Sequence, residues 1–400
     1  MKKEFRIPFF LMMRSLRRGN KWTLALIIFL IAIAFINLVF VASLFNGVIK
    51  NANQQIIDAF TGNIYATPLP GDDFIPNADQ TLKKIRKTDG VTAASAETIL
   101  PASLEFNSIK RTWPILAINP DDEKKVLNIA DKFSSGSYLD KNDTDQIIIG
   151  RQIAGGVGVE MDAFSFKNAK VGDKITLNYG NADYEFTIKG IFYTKFIDTD
   201  QKAFITDEAL KKINPNYSDQ ATSIVIKTAE TGNESETIKK LESDGVEAKF
   251  IDWEDAAGVM ASVTESFLSI NVLMTSVALL IAAVTIFIVI YIDISSRRQQ
   301  IGILRAIGIR PYLITANYVL LSAVYSVAGV LLGSGLFFGI LVPYFNAHPF
   351  VLPIADATLV VNYADFIIRM ESIIWVAILT SLIPAFLITR IKILDALRGK

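Results

Sequence analysis

The chain has 400 residues, 40 Lys+Arg against 40 Asp+Glu, a mean hydropathy of +0.36, one histidine and no cysteine. Without cysteine there is no disulfide, no thiol nucleophile and no Cys-based metal site, and His348 alone is left for any Ser/His/Asp set. The 51% hydrophobic content is gathered into four long runs, which excludes an ordinary soluble domain, whose helices are shorter and keep a polar face.

Residues 1–21 mix Lys and Arg with Phe, Leu and Met and predict an amphipathic helix in the headgroup plane, apolar side down. Residues 22–45, "WTLALIIFLIAIAFINLVFVASLF", contain no Lys, Arg, Asp or Glu. They exceed the roughly 20 residues that cross a bilayer and the roughly 7–15 of a signal-peptide core, so they predict a retained membrane helix. Asn37, its only well-embedded amide, is a candidate for a hydrogen bond between helices.

Residues 46–266 predict a large α/β domain. Its helices around "TLKKIRKTDGV" (81–91) and "TIKKLESDGV" (237–246) resemble each other, and each lies between strand-like stretches. They predict two β-α-β halves of one subdomain. Asn77 or Asp79 would cap the first helix, with Gly90 stopping it. Between the halves, about 120–219, the pattern is β-rich. It includes the hairpin-like "AKVGDKITLNYGNADYEFTIKGIFYT", with turn signals at Gly172-Asp173 and Gly180-Asn181, and predicts an inserted subdomain.

Three more membrane helices are expected at 267–292, 313–342 and 372–389. A connection at 293–312, a loop at 343–371 and a tail at 390–400 complete the chain. Residues 1–22 carry seven Lys/Arg, 293–312 four and the tail four, while 343–371 carries only Arg369. The positive-inside rule then places both termini and the connection in the cytoplasm and 46–266 outside. That outer region has 34 acidic and 24 basic residues, a charge unsuited to nucleic acid.

In the third run, Gly329 with Gly333 and Gly335 with Gly339 form two G-x-x-x-G pairs. They predict close helix contact, either within one chain or with a second one. The connection "ISSRRQQIGILRAIGIRPY" (294–312) predicts a short helix: Ser296-x-x-Gln299 fits a capping box, Gly308 a stop and Pro311 the start of the next helix. Such a helix is too short to stand alone in water. Ile301, Leu304 and Gly308 fall on one face and Ile303 and Ile307 on an adjacent one, flanked by Arg298 and Arg305. Arginines binding anionic lipid would account for the charge. The small residues Gly302, Ala306 and Gly308 among the aliphatics point instead to docking on another protein. There is no P-loop, the glycines of "AGGVGVE" do not fit a dinucleotide fingerprint, and no catalytic constellation is present.

One helix, a large outer domain, three helices and "RRQQIGILRAIG" after the second, with the closing "IPAFLITRIKILDALRG", resemble the MacB/FtsX/LolC-type permeases of ABC transporters. The resemblance implies a coupling helix that docks on a separate cytoplasmic ATPase subunit, with Arg298, Ile301, Leu304, Arg305 and Ile307 as docking candidates. It implies no cofactor on this chain, since ATP is bound by the partner, and a second permease copy or paralogue to form a dimer. A periplasmic adaptor, lipoprotein or envelope protein is the further partner class it suggests. "TGNIYATP", "IIIGRQIAGGVG", "VGDKITL" and "KGIFYTKFIDTD" are similar to the lipoprotein-releasing LolC/LolE branch, although "VEMDAFSFKNAK" is extra here. An FtsX-like transmitter that regulates envelope enzymes is the alternative class.

Overall fold

The computed structural model describes residues 6–18, 20–157, 159–215, 217–350, 352 and 357–390. The chain divides into two compact units, residues 1–50, 265–352 and 356–400, and residues 51–264 with 353–355; among the described residues the first is mainly helical and the second α/β.

The N-terminal helix is Arg6–Arg18, and the four apolar helices, which supply most of the helical unit, are Lys21–Ile56, Val259–Ser296, Pro311–Leu336 and Tyr363–Thr389. Each is long and apolar enough to cross a membrane. The first, second and fourth run beyond the expected 22–45, 267–292 and 372–389. Hydropathy marks only the stretch suited to lipid, whereas the helix continues until something stops or starts it. The fourth begins at Asn362, whose Oδ1 accepts from the amides of Ala364 and Asp365. The third passes through a π turn, Phe337–Leu341, just before Pro343, which has no N–H to carry the α ladder forward.

The inner faces repeat at helical spacing: Ile27, Ile31, Phe35 and Leu38; Ala282, Ile286, Ile290 and Ile294; Ile314, Tyr318, Leu321 and Tyr325; Ile373 and Ala377. Ser322 Oγ donates to the carbonyl of Ala377 at 2.9 Å, tying the third and fourth helices by a polar contact of the kind lipid rewards. Asn37, expected to bond a neighbouring helix, is exposed.

In the α/β unit, β1 (Ile64–Thr67), α1 (Ala78–Ile85) and β2 (Val91–Leu100) form one half. The other comprises β3 (Ser223–Thr228), a helix Glu234–Ser243 and β4 (Lys249–Asp252). The strand order is β4-β1-β3-β2, all neighbours antiparallel. The halves therefore interleave as a split β-α-β pair around Ile64, Ile75, Ile85, Ile224, Ile226 and Leu241. Asn77 is the N-cap of α1 but makes no side-chain cap. Asp219 takes that role from a distance, accepting from the amide of Asp79 at 3.1 Å.

The inserted part runs between β2 and β3. It begins earlier than the expected residue 120: strands Ala102–Phe106, Ile109–Arg111 and Ile115–Ile118 already belong to it. The same sheet continues from β2 through Ile115–Ile118, Ala203–Thr206, Gln146–Gly150, Ala182–Phe192, Lys174–Tyr179 and Ala102–Phe106 to Ile109–Arg111. Period-2 alternation identifies strands without saying where one subdomain hands over to the next. Lys174–Tyr179 and Ala182–Phe192 pair across Gly180-Asn181, with Gly180 at φ +59°.

Candidate docking site

The connection between the second and third membrane helices folds as a nine-residue helix, Arg298–Ala306. It does not start as a capping box. Ser296 Oγ turns back to the carbonyl of Asp293 at 2.7 Å, and the N-cap residue, Arg297, makes no side-chain cap. Instead the Arg297 guanidinium donates Nε and Nη2 to Asp293 Oδ1 at 3.2 and 3.1 Å. Asp293 is only 3% exposed, so this ion pair replaces water around a carboxylate at the end of an apolar helix and fixes where the chain leaves it.

The end of the helix follows its sequence signals. Gly308 has φ +95°. Its amide donates to the carbonyl of Arg305, and the amide of Ile309 donates to that of Leu304, the 5→2 and 6→1 bonds of a Schellman motif. Leu304 and Ile309 pack against the same core cluster, which supplies the apolar contact that accompanies such a stop. Pro311 then opens the third membrane helix at its first turn.

This geometry divides the docking candidates. Ile301 is 1% exposed and belongs to the core of the helical unit, with Leu304 packed against it. Ile301 presents no free face to a partner, and Leu304, partly buried, keeps only an edge on a cleft beside the helix. A short helix needs tertiary packing to exist, and these two residues supply it. The outward aliphatics are Ile303 and Ile307, at 50% and 74% exposure, the latter a residue expected to dock. Arg298 and Arg305 are half-buried flanks. The Arg298 Nε is buried with no hydrogen-bond partner among the described residues. Beside the helix lies a cleft of about 660 Å³, lined by Leu11 and Arg14 of the N-terminal helix and by Arg297, Gln300, Ile303 and Leu304. The N-terminal helix packs Met12 and Leu16 inward and leaves Ile7, Phe9 and Phe10 exposed, the two-faced arrangement of an interfacial helix.

Sequence reasoning missed two features. Asp293 was legible only as an acid four residues before Arg297, at the rim of an apolar run. Ile303 could be told from Ile301 only by which face the bundle covers.

The two glycine pairs also separate. A Cβ on Gly329 would lie 2.7 Å from Ile31 Cγ2, and one on Gly333 2.9 Å from Phe35 Cδ1. This pair is the contact between the first and third membrane helices. Gly335 and Gly339 have nothing within 4 Å. The basic tail and the end of the closing motif, 391–400, lie outside the described residues.

Four apolar helices and a large α/β domain with a mixed sheet define a membrane permease with a large extracytoplasmic domain. Residues 24–244 match the MacB-like periplasmic core domain and residues 272–393 the FtsX-like permease C-terminal domain. The chain belongs to the MacB/FtsX-like ABC transporter permease family, membrane components of transporters rather than catalytic enzymes. Among solved structures, the periplasmic region of MacB from Actinobacillus actinomycetemcomitans is 12% identical, with a TM-score of 0.36 over 51% of this chain and 95% of that chain. The extracellular domain of the noncanonic ABC-type transporter YknZ from Gram-positive bacteria is 13% identical, with a TM-score of 0.35 over 47% of this chain and 98% of that one. No curated protein sequence matches the chain.

Proposed function

We propose that the chain is the permease subunit of an ABC transporter, with both termini cytoplasmic, and that a separate cytoplasmic ATPase docks on the outward face of Arg298–Ala306. The observation that carries this reading is the pair Ile303 and Ile307, left uncovered on a helix otherwise anchored by Ile301, Leu304 and the Asp293–Arg297 pair. Anionic lipid would require the arginines, whereas two exposed aliphatics one turn apart suit an apolar groove on a protein. ATP stays on the partner, and this chain transmits the ATPase's closure to movement of residues 46–266 for export or extraction of a substrate at the outer face. It works as a dimer with a second copy or a paralogue.

For the substrate, lipoprotein release is the finer reading suggested by the LolC/LolE-like stretches, with an FtsX-like envelope transmitter as the alternative. Two of their glycines also have a plain structural use. A Cβ on Gly150 would meet the Asp200 carbonyl oxygen at 2.1 Å, and one on Gly190 would meet Phe133 Cε1 at 2.3 Å. Gly150 and Gly190 are therefore accounted for by close packing before any cargo is invoked. The test is ATP hydrolysis by the partner ATPase reconstituted with this chain in proteoliposomes. Wild type is expected to alter turnover, and Ile307→Asp to lose that effect while inserting normally. Full coupling by Ile307→Asp would count against the reading.

A further inference from the structure

Beneath the sheet of the α/β unit, two glutamates face each other inside an apolar core. Glu97 lies on β2 at 1% exposure; Glu123 lies on α2 (Pro120–Val126) at 0%. Around them pack Ala93, Leu116, Ile118, Val126, Phe204 and Val225. The Glu97 carboxyl and the Ser95 hydroxyl, both on β2, are the polar neighbours that act on the Glu123 carboxyl. Glu97 Oε2 accepts from Ser223 Oγ at 2.9 Å, directly across the strand pair, where Ser223 is the register partner of Glu97. Glu97 Oε1, both Glu123 oxygens and Ser95 Oγ have no well-formed hydrogen bond to any described residue.

Buried polar atoms are almost always satisfied, and two ionised carboxylates in contact inside an apolar core repel each other as well as losing their hydration. A single proton removes both difficulties. It makes one carboxyl a donor to the other, fills two orphaned oxygens and leaves one negative charge, which Ser223 already serves. A dehydrated cation is a poorer fit, because hard cations take about six or more oxygen ligands and no third His, Asp or Glu joins the pair among the described residues.

We propose that Glu97 and Glu123 share one proton, and that this proton holds α2 on the sheet as a pH-sensitive joint in the extracytoplasmic domain. The other titratable groups facing the pair are two tyrosines and a lysine. Tyr65 comes from β1, and burial together with Glu97 and then Glu123 raises its phenol. For Tyr138, burial and then Glu123 do the same. Lys202, whose Nζ sits 4.2 Å from the centre of the Phe60 ring, is the cation that acts on Glu123. Burial and then Glu97 lift the Glu123 carboxyl well above its usual value of 4.5 despite that lysine. For an acid raised in the folded state the sign is fixed. The contribution is fully present below the unfolded value near 4.5, and it is lost as pH rises from there to the folded value. The joint should therefore tighten in acid and loosen in alkali.

The test is infrared difference spectroscopy on the full chain in lipid nanodiscs at pH 8, where ordinary carboxylates are ionised. Wild type should show the C=O stretch of one protonated carboxyl, and both Glu123→Gln and Glu97→Gln should lose it. In parallel, the melting temperature of wild type should fall between pH 6 and 9, while that of Glu123→Gln changes much less, because its amide donates permanently to Glu97. Absence of the protonated band in wild type overturns the proposal, as does its survival in both variants. A pH response that disappears on removing or adding Na⁺ or Ca²⁺ would identify a cation in place of the proton and overturn it too. If a variant does not fold, the wild-type titration of the band decides alone.

Discussion

The helical and α/β units treat the same residue types in opposite ways. In the α/β unit nearly every strand turns Ile, Leu or Phe into a core, and most acids and lysines lie outside. In the helical unit Ile31, Phe35, Ile286 and Ile373 are buried, yet Phe29, Ile33, Leu280, Ile281, Trp375 and Leu379 stand exposed on the same helices. Only 17% of the most apolar stretch of the fourth helix is buried, so its outer face needs lipid where the α/β unit needs water. The difference shows that exposure of apolar surface is a liability in one solvent and a requirement in the other.

The largest effect that can break this comparison is separation of the units. Residues 62–258 expressed alone should be soluble, folded by circular dichroism and unaffected by reductant, whereas the helical residues should aggregate without detergent. An unfolded, protease-sensitive 62–258 would mean that its cores are incomplete on their own.

A smaller effect sharpens the contrast within the helical unit. Ile301→Asp places an unpaired charge in the core and should cost on the order of 3 kcal/mol or more. Ile307→Asp, on the outward face, should change stability by less than about 0.5 kcal/mol. Thermal unfolding in detergent distinguishes them, and equal losses would show that the connecting helix is packed differently.

These two residues also show how far the sequence could be read. Gly308 and Pro311 bound the connecting helix, because a left-handed stop and a missing N–H act locally. Which of Ile301 and Ile303 turns inward depends on the core cluster it joins, which includes residues as remote as Met12 and Ile373 that no local spacing encodes. The capping box failed for a similar reason: the helix takes Arg297, not Ser296, as its N-cap, and the Ser296 hydroxyl turns back to donate to the carbonyl of Asp293. In the α/β unit the helix repeat was visible, but its interleaving through β3 and β1 was not, since strand order is decided by long-range pairing. Glu97 lies in an alternating strand whose sequence cannot say that its acidic face is the buried one.

Next in size is the pair of G-x-x-x-G steps. Gly333→Leu should overpack the first and third helices against Phe35 and cost about 1–3 kcal/mol. Gly335→Leu, with open space around it, should be nearly silent in the detergent-solubilised monomer. The melting temperatures of the two variants check this, and equal losses would contradict the assignment of the first pair alone to the internal contact.

The smallest expected effect is on pH. Burial, and then Asp79 and Glu208 against the opposing pull of Lys211, raise the Asp207 carboxyl to about 6 from 3.8. An acid raised on folding contributes stability fully below 3.8, and that contribution is lost as pH climbs to about 6. Asp207→Asn should remove this part of the decline and gain on the order of 1 kcal/mol at neutral pH. Chemical denaturation of the wild type and the variant at pH 4 and 7 measures it. A decline unchanged by the substitution would assign it to another acid.

The central claim is that the outward face of Arg298–Ala306 and its end, and not the inward one, meets the ATPase. The chain has no cysteine, so single cysteines can carry a photoreactive cross-linker without background. Placed at 303 or 307 in the reconstituted complex, the cross-linker should capture the ATPase subunit. Placed at 301, it should capture only this chain's own helices. Capture of the ATPase at 301, or no capture at either 303 or 307 in a complex that hydrolyses ATP, would contradict the account.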